Sequence, residues 1–469
     1  MKELELLGLT ITEAARALQS REISPVELTQ AYLDRIEALN PSINAYITVT
    51  AKRALLDAQR ACDELTAGKS RGPLHGVPIG LKDLYETAGI RTTGGSKIHA
   101  DHTPTQDCTA AQKLRDAGSV LLGKLNTHEY AYGVTTNNPH YGATHNPWNL
   151  AHIPGGSSGG SGAAIAAGLA TATLGTDTGG SIRMPASVCG VVGLKPTYGR
   201  VSKAGVLPLS YLFDHAGPVT RSVEDAALIL NTIAGYDPMD PTTVRIPIQD
   251  YTADLNNGVR GLRIGVPRSY FFDHLEDEVA AGVEHAVAEF RALGADVRDV
   301  DIPDVGAGVA ALFAVVLSEA QEIHHESLRD RSADFGGDVN AILANPMPDA
   351  HTLMQALRQR DALSAAINCA LETVDLLLTP STPIVAAKIG EETVRYGGLE
   401  EPILMAMIRC TSPFNASGHP ALSLPCGFTS AGLPVGLQVI GRSFDEISVL
   451  RASHAYEQAT QWHTRTPSL

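Results

Sequence analysis

Between Ile153 and Pro185 the chain reads IPGGSSGGSGAAIAAGLATATLGTDTGGSIRMP. Two Gly/Ser clusters bracket an Ala-rich apolar run. Each cluster offers a serine with no bulky neighbour beside it. The octet Gly155 to Gly162 is not a flexible linker, because it leads straight into the apolar, helical Ala163-Ala164-Ile165-Ala166-Ala167. A glycine-rich turn that feeds a buried helix lets backbone approach closely. Upstream, Lys82 ends the apolar run Val77-Pro78-Ile79-Gly80-Leu81. Two serines and a buried lysine can activate a nucleophile without a histidine, which is chemistry suited to an amide-like bond.

The bulk numbers narrow the classes. At 469 residues, 44% apolar and 19% charged, the chain suits a globular protein with a large core. Its formal net charge of −15 argues against a broad polyanion-binding face, so no direct contact with nucleic acid is expected. The six cysteines have no C-x-x-C pair and no histidine at metal spacing, and read as reduced thiols. Met1 to Thr10 carries no signal-peptide pattern, and no run approaches a membrane span of about 18 residues. A cytoplasmic protein that does not enter membranes is expected.

Residues 10 to 66 read as helices. Ser24-Pro25-Val26-Glu27 is a capping box with Pro at the first helical position, followed by Leu28, Ala31, Tyr32 and Ile36 at helical spacing. A second helix runs from about Ala51 to Leu65. From Gly76 the pattern becomes short apolar runs suited to buried strands: 77–81, 120–123, 262–266, 374–378, 421–424 and 435–440. Asp273 to Glu276 caps a helix reaching about Leu293, and 297–302 reads as another strand, which completes a βαβ unit. Two polar stretches, 326–350 and 384–402, read as loops. The fold class is α/β: a single large α/β/α layered domain around a twisted mixed sheet, with N-terminal helices. The one domain, 1–469, divides into a helical segment 1–70, a catalytic core 71–220, and a C-terminal part 221–469 of the same sheet.

The segment Thr176-Asp177-Thr178-Gly179-Gly180-Ser181-Ile182-Arg183 is the sharper chemical signal. Two glycines before a serine allow a tight turn that aims successive N–H groups at one point, an anion-binding nest. The oxyanion of an acyl transfer needs such donors, and losing one costs on the order of 100-fold in rate. Burial would lower the pKa of Lys82 and make it a competent general base. A rival reading takes G-x-S-x-G at Gly155 to Gly159 as a nucleophile elbow, but His145 to His152 before it is not a strand.

Three separated motifs, GVPIGLKD, PGGSSGGSGAA and GTDTGGSIRMP, together resemble the amidase signature family. The likeness extends through Asn146-Pro147-Trp148-Asn149 and Gly193-Leu194-Lys195-Pro196-Thr197 to the C-terminal HPALSLP and GLPVGLQVIGRSFDE. The resemblance implies a Ser–cis-Ser–Lys triad. Ser181 would be the nucleophile, Ser157 (entered through a cis peptide bond) the proton relay, and Lys82 the base. Backbone N–H groups of Thr178, Gly179, Gly180 and Ser181 would form the oxyanion hole. Asp177 and Arg183 would brace the loop, with Ser158 in support. It implies no metal and no organic cofactor, and Tyr132, joined by Tyr130, would line the acyl pocket.

The family embraces free-standing amidases and the glutamine-hydrolysing component of aminoacyl-tRNA amidotransferases. In the latter an Asp that binds the glutamine amino group lies three residues before the Thr of a T-x-P-x-N segment. Here that segment is Thr411-Ser412-Pro413-Phe414-Asn415, and the position holds Ile408, with Arg409 beside it. The expectation is therefore a serine amidohydrolase cleaving the C–N bond of a small, fairly apolar amide. Carbamate or aryl ester hydrolysis by the same triad is one alternative, and the glutamine-hydrolysing component of an amidotransferase is another. The expected partner is the small-molecule substrate alone, with room for a homodimer. Substrate choice is expected to lie in 317–350, which carries His324, His325 and Arg329, the last three equally readable as a solvated helix face.

Overall fold

The computed structural model describes residues 6–469. Residues 1–5, half of the stretch read for a leader, lie outside the described residues. The Ser24 capping box forms as its sequence implies. Ser24 Oγ accepts from Glu27 N at 3.1 Å, and Glu27 Oε2 accepts from Ser24 N at 2.8 Å. These bonds start the helix Pro25–Ile43, and Ala51–Thr66 follows as the next helix. The strand Tyr46–Val49 interrupts the stretch read as wholly helical, and pairs antiparallel with Val120–Leu125.

An eleven-stranded mixed sheet runs through the molecule. Its second to fifth strands from one edge carry the site: Pro78–Lys82 lies parallel to both Val120–Leu125 and Ala172–Asp177, and Ala172–Asp177 pairs antiparallel with His215–Thr220. Beyond these the sheet continues through Val192–Lys195, Ala421–Phe428, Pro434–Gly441, Leu376–Pro380 and Arg263–Pro267 to Asp296–Val300. Strand alternation distributes the core over both faces. Leu376 and Leu378 join one apolar cluster, with helices Val223–Ile233, Asp277–Ala292 and Glu446–Ala459. Leu377 between them joins another, with helices Val305–Ile323 and Ala350–Thr373. Burial on both faces explains why these strands read as continuous apolar runs.

Several expectations needed correction. The strands Ala172–Asp177, Val192–Lys195 and His215–Thr220 were not anticipated, because Gly, Thr and Pro dilute their apolar pattern. The helix after Asp273 starts at Asp277, and Asp273 accepts from Tyr270 N instead of capping it. The stretch 326–350 holds the short helices His325–Arg331 and Gly337–Leu343, and 384–402 contains the hairpin Thr393–Tyr396 with Leu399–Pro402. One helix, Val305–Ile323, is long and apolar enough to cross a membrane by length and composition. It instead packs against Ala350–Thr373 and contributes to the second cluster.

Replacing Ser24 with Ala leaves one helix N–H without its acceptor. The expected cost is about 1 kcal/mol, read from the denaturant midpoint at unchanged slope.

Candidate active site

Lys82 ends the strand Pro78–Lys82, and its side chain is shut off from solvent. Nζ donates to Ser157 Oγ at 2.7 Å, Ser158 Oγ at 2.9 Å and Thr176 Oγ1 at 2.7 Å. An ammonium has three protons, and three hydroxyls take them. Burial brings the Lys82 pKa down to about 7, and the more distant charges of Asp214 and Asp177 oppose that fall. Both protonation states are therefore accessible near neutrality.

The Gly/Ser octet turns tightly into the helix Gly159–Ala166. The Gly156–Ser157 peptide bond is cis. A Cβ on Gly156 would come within 2.6 Å of the Val134 carbonyl carbon, so only glycine fits there. Ser158 Oγ donates to Thr176 O at 3.1 Å, and Ser158 N donates to Ser181 O at 3.2 Å, stitching the octet to the second motif. His145 to His152 form turns and isolated bridges, not the strand a nucleophile elbow requires.

Ser181 lies one loop beyond the strand Ala172–Asp177 and just before the helix Arg183–Cys189. Gly180 has φ +132°, and a Cβ there would meet Thr411 Oγ1 at 2.1 Å. Thr411 Oγ1 donates to Gly179 O at 2.6 Å and holds the loop from outside. Among the described residues, no protein acceptor takes the N–H of Thr178, Gly179, Gly180 or Ser181. Four adjacent free donors beside a serine can receive developing negative charge.

Asp177 and Arg183 lie beneath this loop, both fully buried. Arg183 Nη2 donates to Asp177 Oδ1 at 3.0 Å and Nε to Oδ2 at 3.1 Å, a two-pronged pair. Asn415 Nδ2 donates to Asp177 Oδ1 at 2.7 Å, and Arg183 Nη1 donates to Thr411 O and Gln438 Oε1. Burial alone would raise the Asp177 pKa; the Arg183 guanidinium outweighs it and keeps the carboxyl well below the usual carboxylate range. Thr176, Thr411, Asn415 and Gln438 were missed as site residues. Asn415 and Thr411 lie in a segment whose sequence speaks only to glutamine binding, and Thr176 is one residue ahead of the flagged Asp177.

A pocket opens beside Ser181, lined by Tyr132, Met184, Leu312, Phe313, Leu404 and Ile408 among others, and no charged side chain lines it. Of the two tyrosines expected at an acyl pocket, Tyr132 lines this pocket and Tyr130 does not. Tyr130 and Ala131 both have positive φ, at 48° and 62°, which turns the chain between the two tyrosines. Tyr130 packs on His324 and Phe335 and bonds His99 Nδ1 at 3.0 Å through its hydroxyl. From 317–350 the pocket takes Ile342; His325 and Arg329 are not buried, and His324 is buried in the aromatic cluster. No group of three or more His, Cys, Asp or Glu side chains is placed to hold a metal among the described residues.

The profile of the amidase family matches residues 27–450. The A component of the glutamyl-tRNA(Gln) amidotransferase of Geobacter sp. (strain M21) is 44% identical over 99% of this chain and 100% of its own length. Among solved structures, a chain of a vestigial protein complex, described as revealing the evolutionary origins of an s-triazine catabolic enzyme, superposes with TM-score 0.92 at 37% identity, covering 96% of this chain and 98% of that one. A bacterial aryl acylamidase superposes with TM-score 0.89 at 30% identity, covering 97% and 98%. The chain belongs to the amidase signature family, and it is a serine amidohydrolase acting on C–N bonds.

These relatives overturn one expectation. A small molecule as the sole partner, with no nucleic acid, does not fit a chain so similar to a named component of a tRNA amidotransferase. Net charge misled here, because acidity speaks only to direct contact with a polyanion and not to assembly with other proteins.

Arg183→Ala would leave the Asp177 carboxylate buried without its countercharge. The expected loss is about 3–5 kcal/mol, measured by urea denaturation, with activity falling in step.

Proposed function

We propose that the chain is the amide-hydrolysing component of an amidotransferase-type assembly. Identity of 44–45% along 99% of the chain with two proteins named as components of a glutamyl-tRNA(Gln) amidotransferase carries the reading. In it, glutamine is the amide, ammonia leaves, and partner proteins bring the tRNA.

The chemistry follows from the triad. Neutral Lys82 takes a proton from Ser157, which takes one from Ser181 as Ser181 Oγ attacks the carbonyl carbon. The carbonyl becomes a tetrahedral oxyanion, held by the N–H groups of Thr178, Gly179, Gly180 and Ser181. As the C–N bond breaks, Ser157 protonates the departing nitrogen and recovers its proton from Lys82. An acyl ester on Ser181 remains. Water then attacks this ester through the same relay, releasing the carboxylic acid and restoring Ser181.

The lining of the acyl pocket favours a second reading. Ile408 and its neighbours supply no carboxylate for the glutamine ammonium, and an unpaired charge there would be costly. In this reading the same triad cleaves an amide with an apolar acyl group, still within an assembly related to that of the amidotransferases.

Ammonia and amine release would be measured with glutamine, an aryl anilide and an aliphatic amide, with and without partner proteins. Glutamine turnover that depends on the partners supports the first reading. Anilide or aliphatic amide turnover without glutamine turnover replaces it with the second. In either, Ser181→Ala is expected to abolish turnover, and activity surviving it contradicts the triad. Because Lys82 must be neutral to act, kcat/KM is expected to rise with pH through a midpoint near the Lys82 value of about 7. A rate independent of pH from about 5 to about 9 would contradict Lys82 as the base.

A further inference from the structure

Asp214 is not part of the triad, yet its carboxylate joins two walls of the site. It closes the loop ahead of the strand His215–Thr220. Oδ1 accepts from Thr178 Oγ1 at 2.5 Å, and Oδ2 accepts from Leu209 N at 2.8 Å and Ser210 N at 3.0 Å. Thr178 supplies the first of the four free N–H groups, and Leu209 lines the pocket beside Ser181. Ser210 Oγ in turn donates to Glu319 on the helix Val305–Ile323, the helix that gives Leu312, Phe313 and Val316 to that pocket. One carboxylate thus ties the loop of oxyanion donors to the acyl wall.

Asp214 also lies near enough to the base for its charge to act there. A second cavity of about 520 Å³ is lined by Thr176, Lys203, Asp214 and His215, and Thr176 is the residue whose hydroxyl receives a Lys82 proton. The titratable groups acting on Asp214 or sensing it are Lys203, Glu319, Tyr85, Tyr198 and Lys82, and Lys82 senses Asp177 as well. Lys203 Nζ donates to Tyr211 O at 3.0 Å.

We propose that Asp214 is a positioning residue of the hydrolytic site, fixing the oxyanion donor at Thr178 and the acyl wall at Leu209 through a single carboxylate. Burial raises the Asp214 pKa and Lys203 opposes that rise; in its ionised form Asp214 favours the protonated state that Lys82 enters while Ser181 attacks. The inference rests on Ser181 as the nucleophile, and Ser181→Ala run in parallel tests that premise separately.

Asp214→Asn keeps the size but puts an amide N–H₂ where one donor (at Oδ1) or two donors (at Oδ2) need an acceptor. With whichever amide the wild-type assembly turns over, kcat is expected to fall by about tenfold or more, within the range for weakening an oxyanion donor. The acid limb of kcat/KM is expected to move to lower pH, because removing a negative charge near Lys82 eases loss of its proton. Thr178→Val breaks the hydroxyl link but leaves the charge, so kcat should fall while the acid limb stays in place. Thr178→Ser should restore kcat. Asp214→Asn activity within about twofold of wild type and an unmoved limb would overturn the proposal. So would a fall in kcat with an unmoved limb and a matching loss of Tm, which would make Asp214 a residue of the fold alone. If Asp214→Asn does not fold, Thr178→Val decides: a lowered kcat that Thr178→Ser rescues supports the link, and an unchanged kcat overturns it.

Discussion

Lys82 is held by three hydroxyls, and among the described residues no carboxylate reaches ion-pair distance of it. A carboxylate in contact would keep the ammonium charged, and open water would do the same. The sheet prevents both. The strand carrying Lys82 has neighbours on either side, and the octet turn closes over its end with Ser157 and Ser158. Gly156 and Gly159 of that turn are there because the backbone has to pass within contact distance of the 134–136 segment. The burial of one side chain thus depends on the three paired strands and on the small residues of the turn above them.

The second fixed point is the buried pair Asp177–Arg183. Asp177 ends the strand beside Lys82, and Arg183 opens the helix after Ser181, so the pair clamps both ends of the oxyanion loop. Asn415, Thr411 and Gln438 reach it from the C-terminal half of the chain. A buried ion pair is weak evidence of net stability, but with its remaining donors and acceptors satisfied it fixes a single geometry. The halves of the molecule therefore meet at the loop where charge would develop.

Much of this was legible in the sequence, and the failures have physical causes. Long apolar strands such as Pro434–Gly441 and the capped helix Pro25–Ile43 declared themselves through composition and caps. The strand Ala172–Asp177 did not, because its small residues record close helix packing and not hydrophobicity. Lys82, Ser157 and Ser181 stood out by motif, and the octet brings Ser157 onto Lys82. Thr176, Asn415 and Gln438 also lie in the motif segments, but the motifs do not say what they touch. Their roles depend on which strands become neighbours, and Gln438 sits in a segment that stands out only by its likeness to the family. Tyr130 and Tyr132 are two residues apart and look equivalent, but two successive left-handed residues send them to different places. Net charge was the poorest guide, since it carries no information about which proteins a chain assembles with.

The rate at which a fluorophosphonate modifies Ser181, followed by mass spectrometry across pH, tests the role of Lys82 without needing the substrate. A single adduct on Ser181 is predicted, with a rate that climbs through a midpoint near about 7 in the wild type and loses that dependence in Lys82→Ala. Modification on Ser157, or the same pH profile in Lys82→Ala, would contradict a site built around a buried, neutral lysine.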